Sequence, residues 1–227
     1  MTRGKFIVVE GGEGTGKSVL SSGLASWLRL QGKSVVQTRE PGGTPSAVLI
    51  RKVFARPDAS DPLTMEAEAL LVSAARAQHV DRLIKPALAR GDWVVCDRFT
   101  DSTRVYQGSL GGCDRDALEQ LIFFSTKGLS PDLTVLLDCP PDVAAARAAG
   151  RNAVVASVAG VPVERYDHAG DSFYEKVRGS FLELAAARGP STTAVISSAQ
   201  DQEKVLSDVV ARVCRQWPAE LRAQEGL

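Results

Sequence analysis

Residues 5–18 read Lys-Phe-Ile-Val-Val-Glu-Gly-Gly-Glu-Gly-Thr-Gly-Lys-Ser. Phe6 to Val9 are apolar and mostly β-branched, the composition of a short buried strand. Beyond Ser18, Leu20, Leu24, Trp27 and Leu28 recur at helical spacing. Between the two lie Gly11, four residues and then Gly16-Lys17-Ser18, which completes the P-loop spacing. The physical reason for that spacing is anion binding. Glycines let the chain turn so that successive N–H groups converge on phosphate oxygens at a helix N-terminus. In this reading Gly11, Gly12, Glu13, Gly14, Thr15, Gly16, Lys17, Ser18 and Val19 form a nucleoside triphosphate loop. Lys17 reaches the β- and γ-phosphates, and the Ser18 hydroxyl ligates Mg²⁺. A Gly-rich turn carrying a chance lysine would leave the flanking strand and helix unexplained.

The rest of the chain repeats this alternation. A second strand is predicted at 34–38, a rigid turn at 39–44 and a helix from Pro45. A long helix opens after Thr64 and runs to about Arg90, kinked or divided by Pro86. Strands follow at 93–96, 133–137 and 193–197, with helices from Asp114 to about Lys127, around Val143 and Arg147, over 171–188 and over about 202–217. Residues 148–170 show no sustained period and read as a mobile lid. Alternating strands and helices predict one α/β domain over 1–227, a P-loop NTPase fold with a five-stranded parallel sheet covered by helices on both faces.

Composition narrows the partners. Lys plus Arg and Asp plus Glu both count 27, so no net field recruits nucleic acid or an anionic membrane. The four cysteines form no CxxC pair, and Cys96 and Cys139 lie in apolar runs that suit reduced core thiols. No stretch reaches the length of a membrane span and no signal peptide is legible, so a cytoplasmic protein is expected.

Asp97 ends the apolar run Val94-Val95-Cys96, where P-loop folds hold Mg²⁺. Arg39, Arg51, Arg76, Arg98, Arg147, Arg151 and Arg165 fall near strand ends, helix starts or the lid. Ligands of such sheets bind beyond the strand C-termini, and arginine suits bidentate phosphate contacts. Cationic side chains plus a lid point to phosphoryl transfer between two anionic small molecules, where water has to be excluded. His79, three residues after Arg76, and His168 carry only a structural reading, because neither has a ligand-spaced partner.

Five blocks together are distinctive: 9–18, Thr-Arg-Glu-Pro-Gly-Gly-Thr (38–44), Ala-Ala-Arg (74–76), Asp-Arg-Phe-Thr-Asp-Ser-Thr-Arg-Val-Tyr-Gln-Gly (97–108) and Pro-Asp-Leu-Thr-Val-Leu-Leu-Asp (131–138). Over roughly residues 5–200 the chain resembles bacterial thymidylate kinase. That resemblance implies transfer of the γ-phosphate of ATP to dTMP, with Mg²⁺. It assigns Glu10 and Asp97 to the metal and acceptor phosphate, and Arg39 and Arg98 to the phosphate side of dTMP. It assigns Arg76 to the thymine ring, Arg147 to the adenine, and Ser102, Thr103, Tyr106 and Gln107 to the nucleoside pocket, with Pro41 and Arg51 nearby. Tyr106 excludes a 2′-hydroxyl. Positions 12–15 hold no cation, which resembles the subtype whose catalytic arginine comes from the lid, here Arg151 or Arg165. A homodimer formed through helices is also implied.

Two positions depart from the family pattern. Val72 stands where a base-stacking Phe is usual, and residues 152–163 are longer and more apolar than the usual lid. Val72 motivates a second reading, a kinase for another or modified deoxypyrimidine monophosphate. A third, from a different class, is a nucleotide-dependent switch without acceptor chemistry.

Overall fold

The computed structural model describes residues 2–55, 60–156 and 171–221. The elements run β1 (Phe6–Glu10), α1 (Lys17–Leu30), β2 (Val35–Arg39), α2 (Pro45–Ala55), α3 (Met65–His79), α4 (Lys85–Ala89), β3 (Trp93–Asp97) and α5 (Thr100–Thr103). They continue with α6 (Arg115–Thr126), β4 (Leu133–Asp138), α7 (Pro141–Ala156), α8 (Asp171–Arg188), β5 (Thr193–Ser197) and α9 (Gln202–Gln216). The five strands make one parallel sheet, as the alternation predicts, and their order is β2-β3-β1-β4-β5. β1, at the centre, is buried throughout, which explains its lack of polar alternation.

Period-2 geometry divides β1 between two cores. Ile7 and Val9 face Leu20, Leu24 and Leu28 of α1 and Val205, Val209 and Val213 of α9. Phe6 and Val8 face Val80, Ile84, Ala87 and Leu88 on the other side. Both faces of the sheet are therefore covered, and only its strand ends are open to a ligand.

The structure differs from the sequence reading in three places. The long helix is α-helical to His79, takes a π-helical turn over Val80–Ile84 and resumes as α4. Pro86, which has no N–H to give an i−4 carbonyl, begins α4 just after the wider turn. Residues 100–110, to which the pattern assigned no element, are helical: α5 leads into a second π-helical turn at Arg104–Leu110. Finally α7 continues to Ala156, so 148–156 are helix rather than the beginning of a lid. Alanines at 144–146, 148 and 149 favour helix, and Ala148 is fully buried. The remainder of the expected lid, 157–170, lies outside the described residues.

Candidate active site

Four strands deliver their C-terminal residues to one edge: Arg39 from β2, Asp97 from β3, Glu10 from β1 and Asp138 from β4. The connection leaving β1 runs to β2 on one side and that leaving β3 runs to β4 on the other, so the two diverge between β1 and β3, the crevice in which open α/β sheets bind ligands. The loop after β1 winds into α1 there. Gly14 needs to be glycine twice over. Its φ is +73°, and a Cβ would come within 2.0 Å of the Ala144 carbonyl oxygen on α7. Gly16, also left-handed, caps the N-terminus of α1.

A cleft of about 390 Å³ opens beside this loop, with Lys17, Ser18, Arg39, Asp97, Arg98 and Arg147 among its lining. Next to it lies a recess of about 280 Å³ bordered by Val19, Gly23, Arg147, Gln200 and Leu206. Arg147 stands between the two, its Nη1 donating to the Ser198 carbonyl at 2.7 Å. The Lys17 ammonium donates to the Gly12 carbonyl. Burial, and then the neighbouring Arg98 charge, pull its pKa down to about 8, so an added anion would be strongly welcome there.

Ser18 Oγ donates to Asp97 Oδ2 at 2.6 Å, bringing together the two residues that the sequence assigned to a metal. The other carboxylate oxygen, Asp97 Oδ1, is buried and has no hydrogen-bond partner among the described residues. An orphaned carboxylate oxygen beside a hydroxyl is the hard donor set that Mg²⁺ takes.

Arg98 has φ +68°, an uncommon conformation for a side-chain-bearing residue. Its guanidinium pairs with Glu13 at 2.7 Å, donates to Ser102 Oγ at 3.1 Å, and lies 5.4 Å from the Tyr106 ring centre. The Tyr106 hydroxyl donates to the other Glu13 oxygen. Burial and the Glu13 charge push the Tyr106 pKa well up, which keeps that hydroxyl a donor. Glu13 thus orients Arg98 and Tyr106 together, a role that a position in the nucleotide loop did not foretell.

Glu10, expected among the metal ligands, is placed otherwise. Its carboxylate is 1 % exposed and accepts from Phe99 N–H at 2.8 Å, Ser102 N–H at 3.2 Å and Ser102 Oγ at 2.7 Å. Burial first, then Asp101, raise its pKa to about 7. Those donors turn Glu10 inward, so it anchors the start of α5 beneath the cleft and is absent from the described lining.

Deeper behind the same sheet edge, Arg76 is buried and donates from Nε to Glu40 at 2.8 Å and from Nη2 to Thr103 Oγ1 at 2.8 Å. Gln107 Nε2 donates to Glu68 at 3.2 Å, and Val72 is buried on the same helix as Arg76. Arg51 donates to the Pro41 carbonyl at 3.2 Å, bracing the turn after β2. Glu40 was missed by sequence reasoning, although it sits inside the 38–44 block. Arg151 lies on α7, but its side chain is outside the described residues, as is all of Arg165.

A phosphate loop, a buried hydroxyl–carboxylate pair and arginines gathered beyond the strand C-termini are the arrangement of a P-loop phosphotransferase of the nucleoside monophosphate kinase class. A profile of the family described as thymidylate kinase matches residues 9–209. The chain is 44 % identical over 213 residues to a thymidylate kinase of Chromohalobacter salexigens, covering 94 % of this chain and 96 % of that one. It is 43 % identical over 208 residues to one of Pseudomonas putida, covering 92 % and 94 %. The crystal structure of thymidylate kinase from Ehrlichia chaffeensis superposes with a TM-score of 0.72 at 28 % identity, covering 93 % of this chain and 99 % of that one. The chain belongs to the thymidylate kinase family.

Proposed function

We propose that this protein transfers the γ-phosphoryl group of ATP to dTMP, giving dTDP and ADP. The observation that carries the reading is the meeting of Ser18, Lys17, Asp97 and Arg98 in one cleft. Lys17 and the loop N–H groups hold the triphosphate, and Arg147 lies against the adenine recess. Ser18 and Asp97 hold Mg²⁺, which neutralises charge building on the phosphate oxygens. Arg98 and Arg39 hold the acceptor phosphate, and Glu13 fixes Arg98. Glu10 positions Phe99 and Ser102, and through them the acceptor wall. Arg76, Thr103, Gln107 and Tyr106 line the nucleoside side, with Pro41 and Arg51 shaping the turn beside it.

The loop carries no second cation at 12–15, so Arg151 and Arg165 are the side chains that would complete charge neutralisation in the transition state. We assign Arg165 to a lid and Arg151 to the C-terminal part of α7, within a single domain. The four described cysteines are all unpaired, in keeping with a cytoplasmic location, and no described helix is long and apolar enough to cross a membrane. Phe123 and Phe124 on α6 are 69 % and 78 % exposed, and Leu70 on α3, the helix packed against α6, is exposed too, which fits a homodimer built on these helices.

Val72 supports the second reading, since a smaller side chain leaves the base unstacked; stacking on a base is worth about 1–3 kcal/mol. ADP release measured with dTMP, dUMP, dCMP and 5-substituted analogues decides between them. The expected result is the highest kcat/KM with dTMP. A higher value with a bulkier base would favour the second reading, and ADP release indifferent to any acceptor would sink both.

A further inference from the structure

Behind Arg76 lies a buried polar chain that phosphoryl transfer leaves unused. His79 follows Arg76 by three residues on α3, so the two share a helix face. It is fully buried, with Nδ1 3.0 Å from Glu40 Oε1 and Nε2 2.7 Å from Thr38 Oγ1. Glu40 Oε2 accepts the Nε–H of Arg76 at 2.8 Å. A carboxylate can only accept, which puts the imidazole proton on Nδ1, and Nε2 then accepts from the Thr38 hydroxyl. Each oxygen of Glu40 is committed to one donor.

Arg76 is held on two sides, since its Nη2 also donates to the Phe99 carbonyl at 3.1 Å and to Thr103 Oγ1 at 2.8 Å. Its Nη1 is buried and has no hydrogen-bond partner among the described residues. Such an unmade bond is a standing cost that an incoming acceptor atom removes. The turn after β2 is shaped around the imidazole. Gly43 has φ +83°, and a Cβ there would come within 2.3 Å of His79 Cδ2 and Nε2.

We propose that His79 is a positioning residue for acceptor recognition. Held by Thr38, it donates to Glu40 and locks the carboxylate that locks Arg76, leaving Nη1 as donor to a carbonyl oxygen of the pyrimidine. This rests on the assignment of Arg76 to the acceptor's base. Without the imidazole, Glu40 Oε1 loses its donor, and the carboxylate is free to turn and take a second guanidinium N–H for itself.

Three variants separate this role from a purely structural one. Asparagine carries an amide N–H at the level of Nδ1, glutamine reaches only the level of Nε2, and leucine offers neither. His79→Leu and His79→Gln should raise the KM for dTMP about tenfold, the loss expected for a hydrogen bond to a charged group. Their kcat and KM for ATP should stay within about twofold, and His79→Asn should return the dTMP KM to within about threefold of the parent. An unchanged dTMP KM in the Leu and Gln variants overturns the proposal. So does a parallel rise in both KM values, or an equal effect of Asn and Gln, which would mark a packing role. Arg76→Lys is measured alongside. If it raises the dTMP KM while the His79 variants do not, the acceptor assignment stands and this inference falls. If it raises nothing, both fall. Should His79→Leu not fold, Thr38→Val removes only the hydroxyl and is expected to raise the dTMP KM a few fold by the same route, an unchanged value again counting against it.

Discussion

Arg98→Met separates the stability of the site from its chemistry. Arg98 and Glu13 are 14 % and 5 % exposed in their side chains, so removing the guanidinium leaves a carboxylate in a largely dry setting. Breaking a buried pair by deleting one partner costs about 3–5 kcal/mol. The Tyr106 hydroxyl donates to Glu13 in parent and variant alike, so it does not change that difference. At about 2–4 °C per kcal/mol for a chain of this size, Tm should fall by about 6–20 °C. Adding Glu13→Gln removes the stranded charge and should recover at least half of the loss, because replacing both partners is far cheaper than replacing one. Activity should follow a different course. An arginine that holds the acceptor phosphate contributes in the transition state, so kcat/KM for dTMP should drop more than about 100-fold in the single variant and stay down in the double. The assay is coupled ADP release at saturating ATP, with Tm measured on the same preparations. Activity that returns together with stability in the double variant would refute the reasoning and reduce Arg98 to a structural strut.

Glu10→Gln bears on the raised carboxyl pKa. A folded pKa of about 7 against 4.5 unfolded means that stability from this group is fully present below about pH 4.5 and is lost as pH rises through 7. In metal- and nucleotide-free protein, the parent's Tm should therefore decline relative to that of the variant between about pH 5 and 7 and level off above; parallel curves would contradict it. Lys17→Ala should abolish most turnover while leaving Tm within a few degrees, checked by activity and thermal melts side by side. Replacing Phe123 and Phe124 by Glu should convert a dimer to a monomer in sedimentation velocity, and a parent that is already monomeric would remove the homodimer. Arg151→Ala or Arg165→Ala should lower kcat by at least about tenfold with little change in ATP affinity, and full kcat in both would send the second cation elsewhere.

Much of this architecture was legible because its signals are local. The strand–glycine–helix run at 6–28 and the apolar runs ending at Asp97 and Asp138 are set by periodicity, and a parallel sheet follows from their alternation with helices, while the strand order is seen only in the fold. The meeting of Ser18 and Asp97 was legible too, since each ends a motif with its own chemistry. The inward turn of Glu10 was not legible because strand-end position says nothing of side-chain direction, and only the fold shows that Phe99 and Ser102 N–H groups capture it. Glu40 and His79 stayed hidden for a related reason. A residue whose partners lie 36 and 39 positions away leaves no periodic trace. The one available hint was the three-residue spacing of Arg76 and His79, which on a helix puts both on one face. Residues 100–110 escaped because they carry Thr, Gly and Ser with no clear helical period, and their helix is held from outside by the Glu10 carboxylate.

The most direct test follows the phosphoryl group itself. ATP labelled at the γ-phosphate is incubated with the protein, Mg²⁺ and dTMP, and the products are separated by chromatography. Label should appear in dTDP in step with ADP formed, and should vanish from dTDP when dTMP or Mg²⁺ is omitted or when Lys17 is replaced by Ala. Label found in inorganic phosphate at the same rate with and without dTMP would contradict the account.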